Sequence, residues 1–174
     1  MIYIKILGAV LIITSSCGIG AFVGTFQNKR TGDIKELILF AGIIKGCLTY
    51  TASEVADIIE QGAKKTNGAV SRWLFCIADR LSDEKKDTFE NIWLECMETL
   101  INESYLSGEV LSQAAELGKW LCYMDADSQI KNIAVWEKNI ESEYEKQQKK
   151  AAQINKVSRS LGLLGGIFLV ILIC

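Results

Sequence analysis

Histidine and proline are both absent from the 174-residue chain. Without histidine there is no imidazole general base, no Ser-His or Cys-His nucleophile pair, and no His-ligated metal. Without proline no ring kinks or ends a helix, so long helices are expected. No Cys-x-x-Cys occurs among the six cysteines, which removes the usual spacing of zinc and redox sites. Acidic residues are missing from both margins: all 21 lie between Asp33 and Glu145. Only 11 Lys or Arg accompany them there, a net of −10, while the other eight basic residues lie outside. The overall charge of −2 therefore hides an acidic centre between basic margins.

What the margins have instead is apolar length. The mean hydropathy is +0.19, and 23 uncharged residues run from Ile6 to Asn28. As a helix this segment is about 34 Å long, enough for a hydrocarbon core of about 30 Å. A cleaved leader, or a lipoprotein signal ending before Cys17, would use the same first residues. Apolar residues continue past Cys17 through Ile19, Phe22, Val23 and Phe26, which favours an anchor. Residues 160–174 are also uncharged, a short span of about 22 Å or a re-entrant tail. Lys156 and Arg159 can lay their stems in the membrane and keep their charges among the headgroups. Lys29 and Arg30 follow the first span, and five Lys or Arg with no acid occupy 146–159. The positive-inside rule then places the middle in the cytoplasm and both termini across the membrane. Cys47, Cys76, Cys96 and Cys122 are isolated in that middle, so free thiols are expected in a reducing compartment.

The centre reads as all-α. Helical spacing runs through it, and no sustained alternation suggests strands. Phe89, Ile92, Trp93, Cys96, Met97, Leu100 and Ile101 form one stripe. Others are Ile34, Leu37, Ile38, Ala41, Ile44, Leu48; Val70, Trp73, Leu74, Ile77, Leu81; and Val110, Leu111, Ala114, Leu117, Leu121. Asp87 with Glu90, and Thr51 with Glu54, have the spacing of capping boxes. Asn67-Gly68 and Ser107-Gly108 mark turns. After Asp125 and Asp127 nothing outside the terminal apolar part breaks a helix, which predicts one of about 45 residues. The expected organisation is a transmembrane helix over 1–28, a cytoplasmic helical bundle over 29–145, a basic juxtamembrane stretch over 146–159 and a short transmembrane helix over 160–174.

Chemical motifs fail on inspection. A calcium loop from Asp125 needs Gly at its sixth position and Glu at its twelfth, where Ile130 and Trp136 stand. Gly18-Ile19-Gly20 lies inside an apolar span, and no Gly-Lys-Ser/Thr element is present, so nucleotide hydrolysis is not expected. An acidic centre would repel nucleic-acid phosphates. The reading is no enzyme, no cofactor, no metal and no nucleic-acid partner.

Several features in order resemble the stage III sporulation protein AB family of endospore-forming bacteria. They are the first apolar segment followed by a basic turn at Lys29-Arg30, Tyr50 before a helix start at Thr51 to Ala56, and Phe89-x-x-x-Trp93. They continue with Leu117-Gly118, Leu121, Asp125 and Gln129, and end with Ser160-Leu161-Gly162-Leu163-Leu164-Gly165-Gly166 entering the apolar tail. Cys47, Ser53 and Cys122 stand where the family often has an acid, Pro and Gly. The resemblance implies a component of the channel assembly between mother cell and forespore, in the outer forespore membrane. Its cytoplasmic domain would be similar to that of the inner-membrane platform protein of type II secretion and type IV pilus machines. A secretion-type ATPase and other channel subunits would be its partners.

The leading expectation is thus a non-enzymatic membrane platform. A two-span transport subunit or an exported, lipid-anchored binding domain are the alternatives, and transport would favour ionisable groups inside the spans, which have none. Tyr50, Trp93, Gly118, Asp125 and Gln129 are the motif positions, serving packing or partner contact. Gly118 reads as close helix packing and Asp125 as the cap of the long helix. Gly20 with Gly24, and Gly162 with Gly166, form small-x-x-x-small pairs through which the two membrane helices would pack together.

Overall fold

The computed structural model describes the backbone of residues 2–51, 54–83, 87–123 and 126–173, and the side chains of 25–50, 54–83, 87–121 and 128–154. Among the described residues there are six α-helices and no strand. They are α1 (Ile2–Gly46), α2 (Val55–Lys65), α3 (Gly68–Ser82), α4 (Phe89–Glu103), α5 (Gly108–Tyr123) and α6 (Ala126–Ile173), with a π-helical turn over Cys47–Thr51 after α1. The all-α class follows. The chain divides into two compact units, Met1–Lys29 with Lys146–Cys174, and Arg30–Glu145.

Two expectations about local structure change. Lys29-Arg30 is no turn but the interior of a 45-residue helix. Nothing there opposes helix, since proline is absent and Gly32 alone is a weak breaker. The capping residues shift as well. Thr88, not Asp87, caps α4, its Oγ1 accepting from the Asn91 N–H at 3.3 Å. The expected Thr51 cap is part of the π-helical turn, and Glu54 precedes α2 without a side-chain cap. The cap assigned to Asp125 lies outside the described residues, as do the glycine pairs Gly20/Gly24 and Gly162/Gly166 and the side chains of both apolar ends. Among the described residues no helix is long and apolar enough to cross a membrane.

In the unit Arg30–Glu145, consecutive helices pack as α2 on α3, α3 on α4 and α4 on α5. The apolar stripes turn inward, with Ile34, Leu37, Trp73, Leu74, Trp93, Leu100, Val110 and Leu117 all buried. Ile101, at the end of its stripe, is exposed instead. An aromatic series runs through the interior. Phe40 of α1 meets Trp73 of α3 edge-on at 6.2 Å, and Trp73 meets Trp93 of α4 at 4.8 Å. Such edge-to-face pairs add about 0.5–1.5 kcal/mol each beyond area burial.

Two glycines make room for these rings. A Cβ at Gly62 would stand 2.6 Å from Phe40, and one at Gly118 would stand 2.6 Å from Trp93. Gly68 is needed for another reason: at φ 65 it starts α3 in the left-handed region that glycine adopts freely. Two acids of α1 hold loops of the bundle. Glu36 Oε2 accepts from the Asn67 N–H at 2.8 Å, and Asp33 Oδ2 accepts from the Tyr105 N–H at 2.8 Å.

The expectation of four free thiols is corrected at one pair. Cys76 of α3 is joined to Cys96 of α4 with their Cα atoms 6.0 Å apart, within the range a disulfide bridges. Neither belongs to a short motif, so their proximity comes only from the packing of α3 on α4. Cys47 is buried and belongs to no disulfide, and the Cys122 side chain lies outside the described residues.

Candidate functional site

The motif positions separate by environment. Trp93 is buried, and its Nε1–H donates to the Ala114 carbonyl at 3.0 Å. That carbonyl lies one helical turn before Gly118, so the indole lies against the stretch of α5 that glycine leaves open. Gln129, in the first turn of α6, is buried and donates from Nε2 to the Leu121 carbonyl at 2.9 Å. Leu121 is in the last turn of α5, whose carbonyls lack intrahelical partners, so the amide satisfies a group the helix end leaves orphaned. Tyr50 is the opposite case. It is 86% exposed, at the far end of the π-helical turn whose first residue, Cys47, is buried. Five residues in a widened turn place one side chain inward and the other outward.

Tyr50 borders a groove of ≈ 590 Å³ that also takes in Leu39, Gly42, Ile43 and Gly46 of α1 and Gln61 and Lys65 of α2. Leu39 is 45% exposed, and a Cβ at Gly42 or Gly46 would meet nothing within 4 Å. The groove is therefore a strip of bare helix backbone between two exposed apolar side chains, with the Lys65 ammonium on one edge. Lys45, also on α1, donates to Glu137 Oε2 of α6 at 2.8 Å. That hydrogen bond and then the charge of Glu137 raise its pKa above the ordinary 10.5, against a smaller effect of burial, with Glu141 adding least.

Among the described residues no cluster of three or more Cys, Asp or Glu is placed to hold a metal ion. The sequence reading singled out Tyr50 but missed its groove. The missed signal was Leu39, an apolar residue that falls off the stripe Ile34, Leu37, Ile38, Ala41, Ile44. An apolar side chain on the wrong side of a patterned helix marks either a second packing surface or a contact.

Comparison with known proteins assigns the family. The chain is similar to the curated stage III sporulation protein AB of Bacillus subtilis strain 168, with 23% identity over 170 residues, covering 98% of this chain and 99% of that one. A solved structure of stage III sporulation protein AB superimposes with a TM-score of 0.64 at 18% identity, covering 71% of this chain and 97% of that chain. At that identity the superposition supports the all-helical fold. The family model for stage III sporulation protein AB matches residues 5–174, so this chain belongs to the stage III sporulation protein AB family and has a sporulation-related role.

Proposed function

We propose that the chain is a non-enzymatic membrane platform of the channel assembly between mother cell and forespore, whose bundle docks a secretion-type ATPase in the cytoplasm. The observation that carries this reading is the groove at Tyr50. It exposes an aromatic ring beside Leu39 and two bare glycine positions of α1, whose Ile34, Leu37, Phe40, Ala41 and Ile44 are buried. Exposed apolar strips bordered by charge are contact surfaces more often than accidents of folding, and tyrosine is among the residues that dominate such contacts. Trp93, Gly118 and Gln129 serve packing in this reading, and Tyr50 serves contact.

Placement in the membrane rests on the uncharged segments 6–28 and 160–174 with their basic flanks. Reporter fusions in the bundle should be active as cytoplasmic, and a tag after Cys174 should lie across the outer forespore membrane. Bundle reporters active only outside the cytoplasm would overturn the cytoplasmic placement. For docking, the purified ATPase should bind the full-length chain in lipid nanodiscs and lose that binding to Tyr50→Asp. Retained binding by a folded Tyr50→Asp chain would move the contact elsewhere on the bundle.

A further inference from the structure

A second surface on the bundle has a different character. Phe75 of α3 is 48% exposed, although its neighbours Trp73 and Leu74 are fully buried. With Leu81 it lines a notch of ≈ 460 Å³ between α2 and α3, and the charged residues around that notch are Asp57, Glu60 and Asp79. No cation lines it. Among the described residues, Lys64 is engaged with Glu60, Arg80 with Glu95 and Arg72 with Glu103. Among the described residues Asp57 and Asp79 have no ion-pair partner.

Helix electrostatics accounts for one of these acids and not the other. Asp57 is in the first turn of α2, where a carboxylate meets the positive end of the helix dipole. Asp79 is near the end of α3, where a carboxylate faces the negative end and is disfavoured. An arriving cation would relieve that position and meet Asp57 across the notch. An anionic membrane surface would be repelled by the same groups.

We propose that this notch is a docking site for a basic segment of a partner protein. An apolar anchor side chain of the partner would rest on Phe75, and flanking Lys or Arg would meet Asp57 and Asp79. The site is separate from the groove at Tyr50, and it stands or falls independently of the ATPase reading.

The test uses the full-length chain in nanodiscs of zwitterionic lipid and a fluorescent synthetic helical peptide carrying two leucines one turn apart, flanked by arginines. Its counterpart has glutamate in place of arginine. Anisotropy titration should show saturable binding of the arginine peptide and none of the glutamate peptide. Asp57→Asn with Asp79→Asn should weaken binding about tenfold, roughly the effect of losing two exposed charge pairs. Phe75→Ser should weaken it comparably. Removing the same charge at Glu109 and Glu116 of α5 should leave binding unchanged. Equal weakening by the α5 variant would show only general attraction to an acidic bundle, and the proposal would fail. It would fail too if sedimentation found self-association lost with Phe75→Ser, since a second copy would then cover the notch.

Discussion

Glycine has opposite meanings on the two faces of the bundle. On the inner face, Gly62 and Gly118 lie against Phe40 and Trp93, where a single methyl group would stand 2.6 Å from a ring. On the outer face, Gly42 and Gly46 adjoin Leu39 and Tyr50, and a methyl group there would meet nothing. All four weaken their helices by up to about 1 kcal/mol relative to alanine. Inside, ring packing offsets that loss. Outside, nothing within the bundle offsets it. The comparison separates positions retained for folding from positions free to meet a partner.

The inner face should give the largest effects. Trp93→Ala removes the indole, its hydrogen bond to Ala114 and its contacts with Trp73 and Phe89. It should destabilise the bundle by about 3–5 kcal/mol, read as the urea midpoint followed by circular dichroism. Gly118→Ala should cost about 1–3 kcal/mol, because the rigid indole cannot move aside as a flexible chain would. A neutral Gly118→Ala would mean the ring has room to shift, and the contrast between the faces would lose its basis.

Next is Gln129→Ala. It leaves the Leu121 carbonyl without its side-chain donor at a buried helix end, so a loss of about 1–3 kcal/mol is expected. Gln129→Glu keeps the size but has no N–H to donate, and should be at least as harmful. If Glu is tolerated while Ala is not, the residue acts by packing rather than by satisfying the carbonyl.

These predictions also show what could be read from the chain alone. The helices, the buried Trp73 and Trp93, and the long α6 were legible because apolar spacing of three and four dominates wherever one face is buried. Gly118 was legible as close packing, but not its neighbour, since spacing on α5 says nothing about which ring of α4 approaches. The Cys76–Cys96 pairing was hidden for the same reason. The acids Asp33 and Glu36 hold loops, a role set by tertiary position that their place in the sequence does not show. Leu39 and Phe75 were visible as apolar residues off their stripes, but the grooves they border exist only once α1, α2 and α3 are packed.

The outer face gives smaller effects of the opposite sign. Gly42→Ala should stabilise the chain by about 0.5–1 kcal/mol, since it removes the glycine entropy and meets no neighbour. Gly62→Ala should destabilise it, because Phe40 and Leu74 occupy the space. If both substitutions have the same sign, the outer face is not free. Tested with the ATPase, Gly42→Leu should stay folded and lose binding, whereas Gly42→Ala should retain most of it.

The smallest expected effect is that of the Lys45–Glu137 pair, which links α1 to α6 at the margin of the outer face. Glu137, first as hydrogen-bond acceptor and then as a charge, raises the pKa of Lys45 above 10.5. A group whose pKa is raised on folding adds stability that is fully present below its unfolded value and is lost as pH rises through the folded value. The pair therefore helps throughout the neutral range and stops helping in strongly alkaline solution. Lys45→Met keeps most of the stem and removes the charge. Its urea midpoint should fall slightly below the parent's at neutral pH and low salt, and the difference should shrink with added salt. It should vanish above the raised lysine pKa. A difference that persists unchanged at high pH and high salt would assign Lys45 to packing, leaving α1 and α6 joined by apolar contact rather than by this charge.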